Sequence, residues 1–421
     1  MNILHVSYSD YEGGADKAAL RICKAQRSIG INAQMLVIKK VTDLPFVHSA
    51  IPKWRLAEFK IKDRLAQTLL RMQPGTNPML HSLNLFPGFI HHTINKSKAD
   101  IVNLHWIAKE MISVSEIGKI QKPIVWTLHD SWAFCGTEHH PNGLEDNEFA
   151  KGYANTNYFL DFNRWNLARK LQAWKKIHFQ IVTPSQWEAS LAHRSSIFSK
   201  ENIEVIANPL NTDVFHPFNS LEARLSLGIP LTKKVILFGS LRSVEDRNKG
   251  YDLLQEALAI FKEKYGVHNC LAVIFGMHED EETIHLDCPR QYVGRITSEQ
   301  QMALLYSAAD VMVVPSRMEN LPQTATEPIA CGTPVVGFQV GGMPDIISHK
   351  TNGYLAQPYK SEDLADGINW VLSNSLAYNL SENARKIALQ SLSETRIASQ
   401  YEEIYRKIMV SSTQFSERIF V

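Results

Sequence analysis

The segment from Val313 to Val336 holds residues whose types and spacing suit the binding of a phosphorylated sugar. Two glutamates, Glu319 and Glu327, are separated by seven residues, and a carboxylate accepts hydrogen bonds from sugar hydroxyls without needing a metal. A helix predicted to begin near Gln323 would offer backbone amides at its N-terminus, and these amides favour a phosphate together with the helix dipole. The segment therefore predicts a site for a ligand that carries both hydroxyl and phosphate groups.

A lysine and a histidine elsewhere in the chain are further candidates for chemistry on such a ligand. Lys249 comes after a predicted strand that ends at Phe238-Gly239. Its ammonium is a cation of the kind that binds phosphate groups. His129 lies at the end of another predicted strand, and its imidazole can hydrogen-bond an incoming hydroxyl in either direction.

The elements that must position these residues form two successive series of strands and helices. The first series has predicted strands at Ile3–Ser7, Ala33–Ile38, Ile101–Leu104, Ile124–Leu128 and Ile181–Thr183. The second series has predicted strands at Lys234–Phe238, Cys270–Phe275, Gln291–Val293, Val311–Val314 and Pro334–Val336. Such an alternation predicts two doubly wound parallel sheets, whose ligands bind beyond the carboxyl ends of the strands.

The length of 421 residues also fits two domains rather than one core. We predict an N-terminal domain of residues 1–210, a C-terminal domain of residues 211–395, and a terminal helix of residues 396–421 that returns to the N-terminal domain. The charge is uneven, since residues 1–210 carry a net charge of +7 and the remainder −6. A basic half beside an acidic half favours an anionic partner for the first.

The composition excludes several other classes of protein. No apolar run reaches the roughly eighteen residues that a membrane-spanning helix needs, and the first residues indicate a strand instead of a signal peptide. The five cysteines are widely scattered, which favours reduced thiols and a cytoplasmic location. Cys135, His139 and His140 resemble metal ligands, but no fourth ligand is in sight, so no metal is predicted.

The string Glu319 to Glu327, followed by Ala330-Cys-Gly-Thr-Pro-Val-Val336, resembles the Glu-x7-Glu signature of family four glycosyltransferases. The resemblance implies a retaining enzyme of the GT-B type, in which two Rossmann-like domains face each other across a cleft. It also implies that C-terminal helices pack back on the N-terminal domain. By the same resemblance Glu327 binds the nucleotide ribose, Glu319 contacts the donor sugar, and the amides of Asn320 and Leu321 hold the diphosphate.

Three further strings resemble the same family. Asn248-Lys249-Gly250 is similar to its Lys-Gly element, which implies that Lys249 neutralises the leaving diphosphate. Gly13-Gly14 is similar to its glycine-rich loop at the donor phosphates, although a Gly-Gly turn alone can serve any tight loop. Thr127-Leu-His-Asp130 resembles its Thr-x-His-Asp element, which implies that His129 faces the transferred sugar or the attacking hydroxyl. His129, Glu319 and Lys249 are therefore the predicted catalytic residues.

The chain departs from the family at one position. Many relatives have an arginine directly after the glycine equivalent to Gly239, where this chain has Ser240. Arg242 is our preferred replacement for this donor-binding arginine, and Arg247 is the alternative.

The resemblance implies transfer of a hexose-type sugar from a UDP- or GDP-linked donor to a saccharide or lipid-linked saccharide, as in polysaccharide biosynthesis. It requires no metal and no cofactor, and it involves no nucleic acid. Two alternatives stay open: a catalytically silent nucleotide-sugar-binding relative and a sugar-nucleotide epimerase on the same fold. An NAD-dependent oxidoreductase is disfavoured because no GxGxxG fingerprint follows the first strand.

Two basic segments indicate a further partner. Each predicted helix interleaves cations with aromatic residues: Lys53, Arg55, Lys60, Lys62, Arg64 and Arg71 with Trp54 and Phe59, and Arg164, Arg169, Lys170, Lys175 and Lys176 with Trp165 and Trp174. Such helices either dock on anionic lipid at the inner face of the cytoplasmic membrane or are solvated helix faces with core aromatics. The loop Ser131–Asn163 is long for a strand-to-helix connection and is a candidate for acceptor recognition.

Overall fold

The structure is a computed structural model of the chain that describes residues 1–73, 80–141, 143, 147–154, 159–239, 246–277 and 286–419. These residues divide into two compact units. Unit 1 comprises Met1–Pro209 together with Glu394–Val421, and unit 2 comprises Leu210–Ser393.

Unit 1 is built on a parallel sheet. Its described strands are β1 (Asn2–Ser9), β2 (Asn32–Lys39), β3 (Val47–Ser49), β4 (Ile101–Leu104), β5 (Ile124–Thr127), β6 (Phe179–Thr183) and β7 (Asn202–Val205). Its described helices are α1 (Gly14–Ser28), α2 (Leu56–Leu70), α3 (Ile90–Lys96), α4 (Val114–Ile117), α5 (Phe162–Trp174) and α6 (Gln186–Arg194).

Unit 2 repeats the same plan with a second parallel sheet. Its described strands and helices are α7 (Ser220–Ser226), β8 (Lys234–Gly239), α8 (Tyr251–Tyr265), β9 (Cys270–Phe275), β10 (Arg290–Gly294), α9 (Glu299–Ala308), β11 (Val311–Val314), α10 (Gln323–Ala330), β12 (Val335–Phe338), α11 (Met343–Ile346), β13 (Gly353–Ala356), α12 (Ser361–Asn374) and α13 (Leu380–Leu392). The chain then returns to unit 1 as α14 (Glu394–Ile419).

The order of the strands defines where a ligand can bind. The sheet of unit 2 runs β10-β9-β8-β11-β12-β13, and that of unit 1 runs β3-β2-β1-β4-β5-β6-β7. In both sheets the chain moves outward in one direction, returns to the centre and moves outward in the other. Parallel sheets bind ligands at this switch point, which lies between β8 and β11 in unit 2 and between β1 and β4 in unit 1.

The central strands are apolar along their whole length because helices cover both faces of a parallel sheet. Every residue of Cys270–Phe275 is buried, as is every residue of Val311–Val314. This is why the sequence pattern predicts both strands with the observed bounds. The predicted strands do not include β3, β7 and β13, which lie at sheet edges and carry exposed or half-buried residues.

The terminal helix α14 contributes to the core of unit 1. Ile397, Tyr401 and Tyr405 are almost completely buried, and they pack in one apolar cluster with Leu20 and Ile22 of α1. No helix among the described residues is long and apolar enough to cross a membrane.

Candidate functional site

In unit 2, the loops that follow the neighbouring strands β8 and β11 bring two predicted residues into contact. The Lys249 ammonium donates to Oε1 of Glu319 at 2.7 Å, and the Ser316 hydroxyl donates to the same oxygen at 2.8 Å. The Glu319 carboxylate raises the pKa of Lys249 above its ordinary value, so the lysine stays charged. A cation and a carboxylate thus lie together at the switch point of the sheet.

Glycine at position 250 allows the loop that carries Lys249 to pack closely. Gly250 has a φ of 66°, and a Cβ atom there would lie 1.9 Å from the carbonyl oxygen of Pro315. The Asn248 side chain also donates to the carbonyl of Met318 at 2.8 Å. The backbone after β8 is therefore held directly against the loop that carries Glu319.

A second glycine holds Glu319 from the other side. Gly341 has a φ of 53°, and a Cβ atom there would lie 1.9 Å from the Glu319 carbonyl oxygen. The amide of Gly342 donates to that same oxygen at 2.9 Å. The Gly341-Gly342 pair thus fixes the backbone of the Glu319 loop.

Glu327 lies on α10, where a hydrogen bond from a tyrosine orients its carboxylate. The Tyr306 hydroxyl on α9 donates to Oε2 of Glu327 at 3.0 Å, and both side chains are buried. Asn320 and Leu321 are also buried and directly precede the helix. The N-cap residue of α10 is Pro322, which makes no side-chain hydrogen bond to the helix end. Backbone amides at such an end favour an anion.

The arginine expected after Gly239 cannot be placed. Arg242 and Ser240 lie outside the described residues. The alternative, Arg247, lies in a short 3-10 turn and is exposed.

In unit 1, the predicted glycine pair lies between β1 and α1. Gly13 has an extended backbone that any residue can adopt, and a Cβ atom on Gly14 would meet nothing within 4 Å. Asp16 holds this loop from the helix side, because it accepts from the Gly13 amide at 3.1 Å and from the Ser7 hydroxyl at 3.1 Å. Burial raises the pKa of Asp16 to about 6. Small residues here leave open space instead of relieving backbone strain.

His129 follows β5 and contacts a second histidine. Its Nε2 lies 2.9 Å from Nδ1 of His105, which follows β4, and His105 in turn contacts His5 of β1 at 2.8 Å. Burial lowers the pKa of His129 and of His5 to about 4, and that of His105 well below its ordinary value. All three imidazoles are therefore neutral at neutral pH. The sequence argument did not identify His5 and His105, since they are far apart in the chain.

Asp130 follows His129 and anchors the next loop. Its Oδ2 accepts from the Trp106 indole at 2.7 Å and lies 2.6 Å from Nδ1 of His139, whose other nitrogen contacts the Ser82 hydroxyl at 2.9 Å. Burial opposes ionisation of Asp130, but His139, His140 and the hydrogen bond from the Trp132 amide lower its pKa to about 2. His139, which resembles a metal ligand in the sequence, instead pairs with a carboxylate and a hydroxyl. The described residues contain no group of three or more side chains placed to hold a metal ion.

Lys170 corrects one expectation from the sequence. The pattern places it on a basic surface helix, but its ammonium is fully buried, as is most of Trp174. Lys170 donates to the carbonyl oxygens of Trp132, Cys135 and Gly136, the last two at 2.9 Å, and lies 3.9 Å from the Trp132 ring centre. Desolvation lowers its pKa well below the ordinary value. This lysine thus fixes the first turn of the long loop after β5.

Comparisons with known proteins bear on both units. Residues 220–387 match the model of a family described as glycosyl transferases group 1. The D-inositol 3-phosphate glycosyltransferase of Corynebacterium aurimucosum is 31% identical over 225 residues, which are 50% of this chain and 52% of that protein. The chain spans about half the length of the curated relatives it matches.

Two solved structures align with almost the whole chain. Sucrose-phosphate synthase from Thermosynechococcus elongatus has 18% identity and a TM-score of 0.64, over 97% of this chain and 99% of its own. Anabaena HepE in complex with UDP has 18% identity and a TM-score of 0.64, over 97% of this chain and 100% of its own. This likeness confirms the predicted GT-B fold with its two parallel-sheet α/β units.

Proposed function

We propose that the chain transfers a sugar from a nucleotide diphosphate to an acceptor hydroxyl, and the match of residues 220–387 to the glycosyl transferases group 1 supports this proposal. The observation that carries the proposal is the pair Lys249–Glu319 at the switch point of unit 2. The pair offers a cation for phosphate and a carboxylate for sugar hydroxyls in one place.

The donor is a nucleotide diphosphate sugar. Each predicted donor-site residue of unit 2 binds one part of it. Glu327, oriented by Tyr306, accepts hydrogen bonds from the ribose hydroxyls. The amides of Asn320 and Leu321 hold the diphosphate. Lys249 leaves Glu319 for the phosphate as negative charge develops there, and Glu319 then contacts the sugar. HepE is described in complex with UDP and with UDP-glucose, which supports a UDP-linked donor over a GDP-linked one.

The reaction retains the configuration at the sugar. The acceptor hydroxyl forms a new bond to the anomeric carbon on the face from which the diphosphate departs. The bond from this carbon to the phosphate oxygen breaks, and a phosphate oxygen of the donor takes the hydroxyl proton. His129 orients hydroxyl groups, and Lys249 stabilises the leaving group. The scheme uses no metal ion.

Unit 1 receives the acceptor, a saccharide or a lipid-linked saccharide of polysaccharide biosynthesis, and the transferred sugar is of the hexose type. The loop after β5 supports this role, because the buried Lys170 and the half-buried Asp130 hold its first turn in place. Binding groups on a rigid loop position an acceptor with little cost in conformational entropy.

Nucleotide binding tests the donor site. We expect the preferred nucleotide to raise the melting temperature of the protein, since ligand binding to the folded state stabilises it by mass action. Glu327→Ala should abolish this rise, whereas Glu263→Ala, an exposed glutamate on α8, should preserve it. The panel contains UDP, GDP and their sugar conjugates. An unchanged rise in Glu327→Ala contradicts the ribose role.

Turnover separates the remaining alternatives. Transfer predicts slow hydrolysis of the donor without acceptor and a glycosylated product with it. A silent relative would bind the nucleotide without either reaction. An epimerase would convert the donor sugar without transferring it.

We also propose that an anionic membrane surface is a partner, so that the cytoplasmic protein lies on the inner face of the cytoplasmic membrane. The outward face of α2 and its flanks combines exposed apolar side chains with cations. Trp54 is 77% exposed and Ile61 55%, and Leu65 and Met72 follow at helical spacing. The exposed cations of this surface are Lys53, Lys60, Arg64 and Arg71. Apolar anchors among cations are typical of helices that lie in a lipid interface.

Vesicle binding tests this face. The protein should sediment with vesicles that contain phosphatidylglycerol but not with phosphatidylcholine alone, and salt should weaken the binding. Ile61→Asp should reduce the bound fraction, because it puts a charge among the inserted side chains. Leu221→Asp is the control, since Leu221 is 58% exposed on α7 of unit 2. Equal losses in both variants would refute the assignment of the face.

A further inference from the structure

A relay of hydrogen-bonded side chains connects His129 to the terminal helix α14, and its buried members beyond His129 have no role in the function proposed so far. From its geometry we propose that His5, His105 and Gln26 are positioning residues that fix His129 in a single tautomer, with the proton on Nε2 and a lone pair on Nδ1. This role deepens the proposed function and rests on it.

The relay is continuous. His129 Nε2 lies 2.9 Å from His105 Nδ1, and His105 Nε2 lies 2.8 Å from His5 Nδ1. His5 Nε2 lies 3.0 Å from Oε1 of Gln26. His5 and Gln26 are completely buried and His105 almost so. The four members thus come from β1, from the segments that follow β4 and β5, and from α1.

The amide oxygen at the far end sets the direction of every hydrogen bond. A carbonyl oxygen only accepts, so His5 must donate through Nε2. A neutral imidazole has one N–H, so Nδ1 of His5 accepts from His105. The same argument makes Nδ1 of His105 accept from Nε2 of His129. His129 therefore carries its proton on the inner nitrogen, Nε2.

The Gln26 amide presents its oxygen to His5 and its nitrogen to α14. Its Nε2 donates to the Tyr405 hydroxyl at 2.9 Å, and Asn103 Nδ2 donates to the same hydroxyl at 3.0 Å. Asn103 Oδ1 in turn accepts from the Thr127 hydroxyl at 3.0 Å, two residues before His129. The amide and the strand that carries His129 thus share one network.

The relay keeps His129 an acceptor of hydrogen bonds. It ends at an amide oxygen, which cannot take up a proton, so no proton can leave along it. Nδ1 of His129 then accepts a hydrogen bond from a hydroxyl of the transferred sugar, while the proton of the attacking acceptor hydroxyl goes to a donor phosphate oxygen. A fixed tautomer of His129 therefore orients a hydroxyl group by hydrogen bonding. The residue does not act as a general base.

The ¹⁵N spectrum of the histidine-labelled protein tests the tautomer without any substitution. At neutral pH we expect Nε2 of His129 to have the shift of a protonated nitrogen and Nδ1 that of an unprotonated one. The opposite assignment, or an equal mixture of the two tautomers, would overturn the proposal.

Two substitutions of Gln26 then test whether this side chain determines the tautomer of His129. Gln26→Met removes the accepting oxygen at similar volume, so the two tautomers should mix and kcat should fall with the fraction that keeps Nδ1 unprotonated, by about twofold for an equal mixture. Gln26→Glu keeps an accepting oxygen and should preserve both the spectrum and kcat. Thermal melting confirms that each variant is folded. A wild-type spectrum and kcat in Gln26→Met would refute the role of Gln26.

The readouts separate this proposal from the function on which it rests. The rise in melting temperature on nucleotide binding depends on unit 2 and should be the same in Gln26→Met as in the wild type. If no sugar is transferred while the wild-type spectrum shows protonated Nε2, the proposed function fails and the tautomer assignment stands. If transfer occurs with protonated Nδ1, the assignment fails and the function stands.

Discussion

At the scale of single residues, Glu188 links the stability of unit 1 to pH. Its side chain is fully buried on α6, where the Ser131 hydroxyl donates to Oε1 at 3.0 Å. Within the described residues, Oε2 has no hydrogen-bond partner. Burial raises the pKa of Glu188 to about 8, so the folded protein holds a neutral carboxylic acid at neutral pH.

Glu188→Gln should therefore change how stability depends on pH. The folded pKa lies above the unfolded value of about 4.3, so this group stabilises fully below that value and loses its contribution as pH rises toward 8. Because glutamine does not ionise, the variant does not lose stability in this way as pH rises. Relative to wild type, its free energy of unfolding should increase from pH 5 to pH 8, by at most about 1.4 kcal/mol per pH unit.

Denaturant titrations at the two pH values measure this difference. Glu263→Gln, at an exposed position on α8, is the control and should keep a constant difference from wild type. A constant difference in Glu188→Gln as well would show that Glu188 ionises in the folded protein as it does in the unfolded one.

Local sequence context decides which single residues of the site can be identified before the fold is known. Lys249 and Glu319 were predictable because each lies within a short string with its own context, and the structure brings them into contact. Ser316, Tyr306 and His105 were not. Each acts through a partner that is distant in the chain or carries no local signal of its own, so only the fold reveals the contact.

At the scale of elements, the turn between β8 and α8 depends on the absence of a side chain at Gly250. Gly250→Ala should strain the left-handed backbone and also push the new Cβ against the Pro315 carbonyl. We expect a loss of about 1 kcal/mol for the backbone alone and further loss for the collision. Nucleotide binding should weaken because Lys249 is displaced.

Gly228→Ala separates these two effects. Gly228 has a φ of 64°, close to the 66° of Gly250, but a Cβ atom there would meet nothing within 4 Å. It should therefore show the backbone loss without the weaker nucleotide binding. Equal melting temperatures and equal nucleotide affinities in the two variants would show that the close approach to Pro315 is not needed.

Elements also differ in how far the sequence predicts them. The strands beside the switch point of unit 2 are apolar runs, and the predicted bounds of Val311–Val314 are those observed. The region after Ser361 was predicted as helical to its end, and it forms three helices, with breaks near Ser375–Asn379 and at Ser393. A break between amphipathic helices leaves the apolar period almost unchanged, so periodicity alone does not locate it.

At the scale of the whole molecule, unit 1 is completed by the last helix of the chain. Ile397, Tyr401 and Tyr405 are buried in its core. Removing residues 394–421 should therefore unfold unit 1, since each large buried side chain contributes about 2–5 kcal/mol and a typical domain has only about 5–15 kcal/mol of stability.

Circular dichroism and limited proteolysis measure this unfolding. Unit 2 has its own sheet and core, so nucleotide protection of Leu210–Ser393 should persist in the shorter chain. If unit 1 resists protease equally with and without residues 394–421, its core does not need α14.

Unit 1 is formed by two segments that are distant in the chain, and this has a consequence for its folding during synthesis. A ribosome releases Met1–Pro209 first, then all of Leu210–Ser393, and only afterwards the helix that fills the gap in the first sheet's packing. At translation speeds of 5–20 residues per second, roughly ten to forty seconds pass between the first and last pieces of unit 1. During that interval the faces that α14 later covers stay exposed to the cell's chaperones, so the second unit matures before the first.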